Sequence, residues 1–164
     1  MRAVVFEFRP YPDQRAAYFA LVAELRPRLL GMPGFLENER FQSIRDPGRL
    51  LSFQLWEDEA AIARWRAHPR HRVAQALGRS EIFQAYRLRV GEVIETDGPP
   101  GGADVVRLAF GSGLMARAGV EAFASITDAR RILLVGSGDS PWDARAERRL
   151  VVRVIRDYGR GTLA

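Results

Sequence analysis

Apolar positions along the chain follow two rhythms, and the order in which these alternate predicts the fold. In "AVVFEF" (3–8), Val4, Phe6 and Phe8 recur at every second residue, the period of a half-buried strand. After "RPYPD" the period lengthens. Tyr18, Leu21, Val22, Leu25 and Leu29 recur at helical spacing, which predicts an amphipathic helix over 14–30 with Asp13 placed to cap it. "GMPG" (31–34) ends that helix. "FLENERFQSI" (35–44) and "RLLSFQLW" (49–56) read as strands joined by "RDPG" (45–48), where proline presets one turn dihedral and glycine accepts a positive φ. A helix opening at Glu57 or Asp58 should stop at His68, because the residue before Pro69 is pushed out of the α region. A second helix can begin at Pro69 and run to Gly78. "YRLRVGEVIE" (86–95) is a fourth strand. The order β, α, β, β, α, β is the split βαβ, or ferredoxin-like, unit: an α+β fold with an antiparallel sheet.

The rest of the chain echoes this unit. "TDGPPGGAD" (96–104) has the composition of a linker. Beyond it, "FASITDARRILLV" (123–135) lies without a gap on "FQSIRDPGRLLSF" (41–53), so that Phe41, Ser43, Ile44, Asp46, Arg49 and Leu51 recur as Phe123, Ser125, Ile126, Asp128, Arg131 and Leu133. "VVRLAF" (105–110) echoes the first strand, and "RLVVRVIRDYG" (149–159) echoes "RLRVGEVIETDG". Too few residues separate Phe110 from Phe123 for the first long helix and its connections. The expected organisation is a first domain over 1–97, a linker over 98–103, and a degenerate, helix-poor second repeat over 104–164 packing on the first.

Composition narrows the chemistry. The chain has 164 residues, 47% of them hydrophobic, enough for a packed core. It has no cysteine, so disulfides, thiolate zinc sites and cysteine nucleophiles are excluded. All 25 basic residues are arginine, scattered among 20 acids, and the net charge is +5. The high pI of 10.6 reflects arginine's permanent charge rather than a basic arm, so no nucleic-acid partner is expected. The N-terminal stretch lacks a signal-peptide pattern, and no segment approaches the roughly 18 apolar residues of a membrane helix. A cytoplasmic protein with no membrane partner is expected.

The stretch "PGFLENERFQSIRDPGRLLSFQLWEDEAAIARWRAHPRHRVAQALGR", closed by "FQAYRLRVGEVI", resembles the antibiotic-biosynthesis monooxygenase domain family. The shared features run in order: a PGF opening to the second strand, a third strand ending in Trp before acids, an A-x-x-x-W helix, and an H-R-x-A-Q helix. The resemblance covers residues 1–97. It implies a ferredoxin-like unit of the dimeric α+β barrel type, with a pocket between sheet and helices. It also implies oxygenases that work without a cofactor on quinol-type substrates, or that degrade haem. Residue by residue the match is mixed. The cofactor-free enzymes place Asn four residues before the strand-3 Trp; here Trp56 carries over, but the earlier position is Ser52. The haem-degrading members place a ligating His ten residues after the helix Trp; after Trp65 that position is Gln75, and strand 1 has no Asn.

His68 and His71 are the only histidines. Proline between them splays the pair, and no third ligand accompanies them, so no metal site is expected. His68 is read as capping the second helix. His71 is a candidate acid or base, with Ser52 beside it as a candidate catalytic donor. Trp56 and Trp65 are candidate walls for a small aromatic ligand, and Asn38 and Gln75 candidate hydrogen-bond donors to it. Alternation places Ser52, Gln54 and Trp56 on one strand face. Two functions stay open. One is a cofactor-independent monooxygenase for a small aromatic or polyketide-like substrate; the other is a non-catalytic ligand-binding or structural module of the same fold. The assembly is a homodimer, or a monomeric pseudo-dimer formed through the repeat.

Overall fold

A computed structural model describes residues 1–94, 104–140 and 142–163; the expected linker at 98–103 lies outside the described residues. The elements run β1 (Arg2–Pro10), a 3₁₀ turn (Pro12–Gln14), α1 (Arg15–Leu30), β2 (Phe35–Ser43), β3 (Leu50–Trp56), α2 (Glu59–Ala67), α3 (Pro69–Leu77), a π-helical turn (Gly78–Ile82), β4 (Phe83–Ile94), β5 (Val105–Ser112), β6 (Val120–Ser125), β7 (Arg131–Ser137) and β8 (Arg148–Arg160).

Local chemistry explains most boundaries. Asp58 is the N-cap of α2, its carboxylate accepting from the Ala61 amide at 2.7 Å. His68 leaves the helical region (φ −57°, ψ 127°) and α3 starts at Pro69. Gly34 of the PGF motif sits at φ +80°, and a Cβ there would lie 2.7 Å from the Ala61 methyl, so only glycine lets α2 approach the start of β2. Two cap assignments need correction. Asp13 lies inside the 3₁₀ turn and makes no cap for α1, because Pro12 initiates a tighter turn first. His68 holds the N-cap position of α3 but makes no side-chain cap bond. β4 also starts at Phe83, three residues earlier than the sequence pattern marks, directly after the π turn.

The eight strands form one closed antiparallel barrel in the order β1-β3-β2-β6-β7-β5-β8-β4. Each half has the ferredoxin-like order: β4-β1-β3-β2, then β8-β5-β7-β6. The halves meet edge to edge at two seams. At the first, Phe41 pairs with Ser125 and Ser43 with Phe123 about a centre at Gln42 and Ala124. Just beyond the ladder, the Ile44 amide donates to Ala122 O and the Ile126 amide to Arg40 O, both at 3.0 Å. These contacts are reciprocal between repeat-related residues, the signature of a two-fold interface, here built within one chain. At the second seam the centre is Glu92 opposite Arg153, with Gly91 paired to Val154 and Val93 to Val152. The backbones approach so closely there that a Cβ on Gly91 would lie 2.4 Å from Arg153 O.

Strand pairing sets the exact equivalence of the halves. Leu51 of the first hairpin pairs with Glu7, and its counterpart Leu133 pairs with Phe110, so Glu7 corresponds to Phe110. Glu7 and Phe110 pair in turn with Arg87 and Arg148. The two Arg-Leu openings of the last-strand echo are therefore one residue out of step, because alternation must keep the inward residues inward.

The barrel interior is a packed core, not a channel. Val5, Phe41, Leu51, Phe53, Leu108, Phe110, Phe123, Leu133 and Val152 are among its members. Charge pairs close its ends. Arg49 reaches Glu121 at 2.7 Å and the corresponding Arg131 reaches Glu39 at 2.8 Å, each crossing between the halves. Glu7, 3% exposed, also accepts from Arg49 and Arg89.

Outside the barrel the halves differ. α1, α2 and α3 cover β1–β4, with Leu29, Ile62 and Trp65 packed on Val4, Trp56 and Val90, and Tyr18 on Phe8 and Leu50. Over β5–β8 the cover is loop, chiefly Leu114, Trp142 and Ala146 on small strand residues such as Ala109 and Ala122.

Candidate functional site

The helix-covered face carries the candidate residues in two groups. The first lies on the sheet. The register sets Asn38 opposite Gln54 and Arg40 opposite Ser52, all on the outer face. Asn38 Nδ2 donates to Ser52 Oγ at 3.0 Å and to Phe53 O at 2.8 Å, while Asn38 Oδ1 accepts from Arg40 Nη1 at 2.7 Å. Arg40 Nε donates to the Tyr18 hydroxyl at 3.0 Å. Among the described residues Arg40 meets no carboxylate, so its charge is balanced only by neutral acceptors. Burial raises the Tyr18 phenol's pKa, against the opposing pull of Arg40, and Tyr18 stays protonated at neutral pH.

The second group lies on α2 and α3. The His71 ring stacks on Trp65 at 4.3 Å between centroids and 15° between planes. His71 Nδ1 lies 2.9 Å from Trp65 O. A carbonyl only accepts, so Nδ1 carries the proton there, and in the neutral ring Nε2 is the basic nitrogen. Burial lowers the His71 pKa from its ordinary 6.5, the Trp65 carbonyl opposing and the nearby His68 reinforcing the shift. Gln75 Nε2 sits 3.3 Å from His71 Nδ1. Two buried polar atoms here lack partners: Trp65 Nε1 and His68 Nδ1. A buried indole N–H without an acceptor is rare.

Trp56 joins the groups only through packing. It is 0% exposed, its indole N–H donates to Gln54 Oε1 at 3.1 Å, and Phe35 packs edge-on at 5.3 Å. Trp56 and Trp65 share one cluster with Leu25, Leu29, Met32 and Phe35. The structure thus pairs Asn38 with Ser52 and brings Trp65, His71 and Gln75 together. No hydrogen bond links the two groups among the described residues. Sequence reading passed over Arg40 and counted Tyr18 only as part of an apolar stripe. The available signal was parity on β2, which puts Arg40 on the same face as Asn38. Among the described residues no group of three or more His, Asp or Glu side chains is placed to hold a metal.

With this geometry in view, likeness to known proteins can be stated. Residues 1–77 match the model of the antibiotic biosynthesis monooxygenase family. The likeness to that family lies in this part of the chain. A jasmonate monooxygenase of Pyricularia oryzae is 44% identical over 93 residues, 57% of this chain and 43% of that protein. An uncharacterized protein of Bacillus subtilis, YqjZ, is 39% identical over 62 residues, 37% of this chain and 52% of that one. The chain thus spans about half the length of the curated relatives it matches. Among solved structures, a crystal structure of an antibiotic biosynthesis monooxygenase superposes with a TM-score of 0.52 at 20% identity, over 58% of this chain and 100% of that one. Rv0793 from Mycobacterium tuberculosis superposes with a TM-score of 0.53 at 21% identity, over 59% and 98%. At such identities the likeness shows the fold alone: the α+β barrel of the monooxygenase domain. Among the described residues no helix is long and apolar enough to cross a membrane.

Proposed function

We propose that the monooxygenase domain oxygenates a small, acidic carbon substrate between its helices and sheet, with His71 as general base and no cofactor. The observation that carries this reading is the stack of half-buried His71 on buried Trp65, with a fixed Nδ1 proton and an unpartnered indole N–H beside it. His71 Nε2 removes a proton from the substrate carbon or phenol. The anion is stabilised by donors set in advance: the Trp65 N–H at one end, and the Arg40 guanidinium and Ser52 hydroxyl, both held by Asn38, at the other. Asn38, its two amide hydrogens given to Ser52 and the Phe53 carbonyl, orients the Ser52 hydroxyl from the neighbouring strand. The electron-rich anion passes one electron to O₂, the radical pair joins as a peroxide, and loss of water leaves a ketone. Overall, R₂CH₂ and O₂ become R₂C=O and H₂O. Trp56, its N–H already engaged, supports Trp65 from below.

The substrate class is an aromatic or polyketide-like quinol or anthrone. The Pyricularia relative's name adds a cyclopentanone acid of the jasmonate type, whose α-carbons are also acidic. In the same reading, residues 1–97 form the working unit, the repeat over 104–164 closes its barrel, and one cytoplasmic chain acts without a partner subunit. The second reading, a binding module without turnover, is favoured by the complete burial of Trp56.

Oxygen uptake by the purified protein with dihydroxynaphthalenes, anthrones and jasmonic acid tests the proposal. Uptake that is lost in His71→Gln, with tryptophan quenching by the substrate retained, supports it. Quenching without any uptake points to the binding module. Neither quenching nor uptake with any of these compounds removes the assignment.

A further inference from the structure

Away from this site, a cleft of about 500 Å³ crosses the first seam on the outer face of the barrel. Its walls come from both halves: Phe19 of α1, Ile44 and Pro47 after β2, and Ala124, Ile126 and Ala129 of the second hairpin. Ile44 and Ile126 are repeat-related, and they stay 55% and 41% exposed. The missing helix explains this. α1 brings Arg15 and Phe19 over β2, but only a short loop joins β5 to β6, so no helix covers Ala124 and Ile126. The seam is two-fold in its strands and one-sided in its cover, and the uncovered side is the cleft.

The polar lining is as specific as the apolar one. Arg15 Nη2 donates to Gln42 Oε1 at 2.6 Å and Nη1 to Pro47 O at 3.3 Å, and the guanidinium lies 5.5 Å over the Phe19 ring. Among the described residues no carboxylate pairs with Arg15, although most arginines of this chain have one. The serine hydroxyls of the lining are already committed to turns: Ser43 Oγ accepts from the Asp46 amide at 3.1 Å, and Ser125 Oγ lies 3.1 Å from Thr127 Oγ1. What remains for a ligand is one uncompensated cation, the Gln42 amide and six apolar side chains. The volume is that of small-molecule sites.

We propose that this cleft is a second binding site, for a small amphipathic carboxylate. The carboxylate takes two hydrogen bonds from the Arg15 guanidinium in place of Gln42 Oε1, and the aliphatic body lies along Phe19, Ile44 and Ile126. The site is separate from the Trp65–His71 stack and stands or falls independently of it.

Amide chemical shifts of ¹⁵N-labelled full-length protein, titrated with sodium decanoate and with decan-1-ol as uncharged control, test this. Decanoate should move the signals of Gln42, Ile44, Ile126 and Ala129. Decanol should bind about tenfold more weakly or worse, the size of a lost charge-assisted hydrogen bond. Arg15→Gln should reduce decanoate affinity to the decanol level, and Ala129→Trp, which fills the cleft, should abolish both. Melting curves confirm that each variant is folded; either one suffices. Equal affinity of decanoate for Arg15→Gln, or shifts confined to other surfaces, would overturn the proposal. So would sedimentation showing a dimer that buries Ile44 and Ile126, because the exposed pair would then be an interface between copies.

Discussion

The two halves of the barrel have the same strands in the same order, yet the candidate site residues all lie on one of them. Their inner faces match: Phe41 with Phe123, Leu51 with Leu133, Arg49 with Arg131. Their outer faces do not. The first half presents Val4, Phe8, Leu50 and Trp56 to three helices, whereas the second presents Ala109, Ala122 and Leu134 to loops. A strand's two faces answer to different constraints. Barrel closure fixes the inner residues of both halves together, because each must fill space against the other. The outer face is fixed only by what covers it. Over the second half no helix covers that face, and alanines such as Ala109 and Ala122 pack under loop residues. One half therefore has a helix-covered outer face and the other a loop-covered one.

The strongest way to break this picture is at Glu7, the place where the matched interior is least alike, since its counterpart is Phe110. Glu7→Ala leaves Arg89 inside the barrel without a carboxylate and Arg49 with Glu121 alone. The expected loss is about 3–5 kcal/mol in denaturant unfolding. A loss below about 1 kcal/mol would show that water reaches these arginines. Next is the second seam. Gly91→Ala places a methyl against Arg153 O and should cost about 1–3 kcal/mol by thermal or denaturant melting, with faster amide exchange in β4 and β8. An unchanged melt would mean that the seam is looser than the pairing indicates.

The contrast in function is sharpened by a matched pair of substitutions. Trp65→Phe removes the unpartnered indole N–H and should lower turnover of any substrate found by oxygen uptake by about tenfold or more. Trp142→Phe, on the loop-covered half, should leave turnover unchanged. Equal effects would show that both halves serve the site. The smallest expected effect concerns pH. The His71 pKa lies below 6.5 in the folded protein because burial disfavours the imidazolium. The unfolded chain then binds more protons than the folded one between the two values, so stability is full above pH 6.5 and declines as pH falls towards the folded value. The acid limb of kcat/KM should likewise lie below pH 6.5. His71→Gln should flatten the stability difference; a wild-type curve flat from pH 7 to 5 would argue against a buried imidazole.

Much of this was legible from local pattern. Alternation in 3–8, the RDPG hairpin and the His68–Pro69 break mark elements that residues a few positions apart decide. The repeat showed in the hairpin, where turn residues and alternation leave a dense signature. It blurred in the last strand, where valines and arginines alternate too evenly for letters to set register. The site was half legible. Trp65, His71 and Gln75 share a short helical segment, so their spacing nearly places them. Arg40 and Tyr18 sit on a strand and a helix 22 residues apart, and only packing makes them neighbours.

The sequence by itself determined the strands, the helices, the turn at 45–48, the monooxygenase-like order of the first half and its shrunken echo in the second, because each rests on periodicity and backbone preference within a few residues. Only the tertiary structure decided that the halves close one barrel through two reciprocal seams, that Glu7 stands where the other half has Phe110, and that the missing helix leaves a cleft beside Arg15. Those facts depend on which edges meet and what covers each face. They arise from burial and hydrogen bonding summed over distant strands, and no short stretch of sequence encodes them.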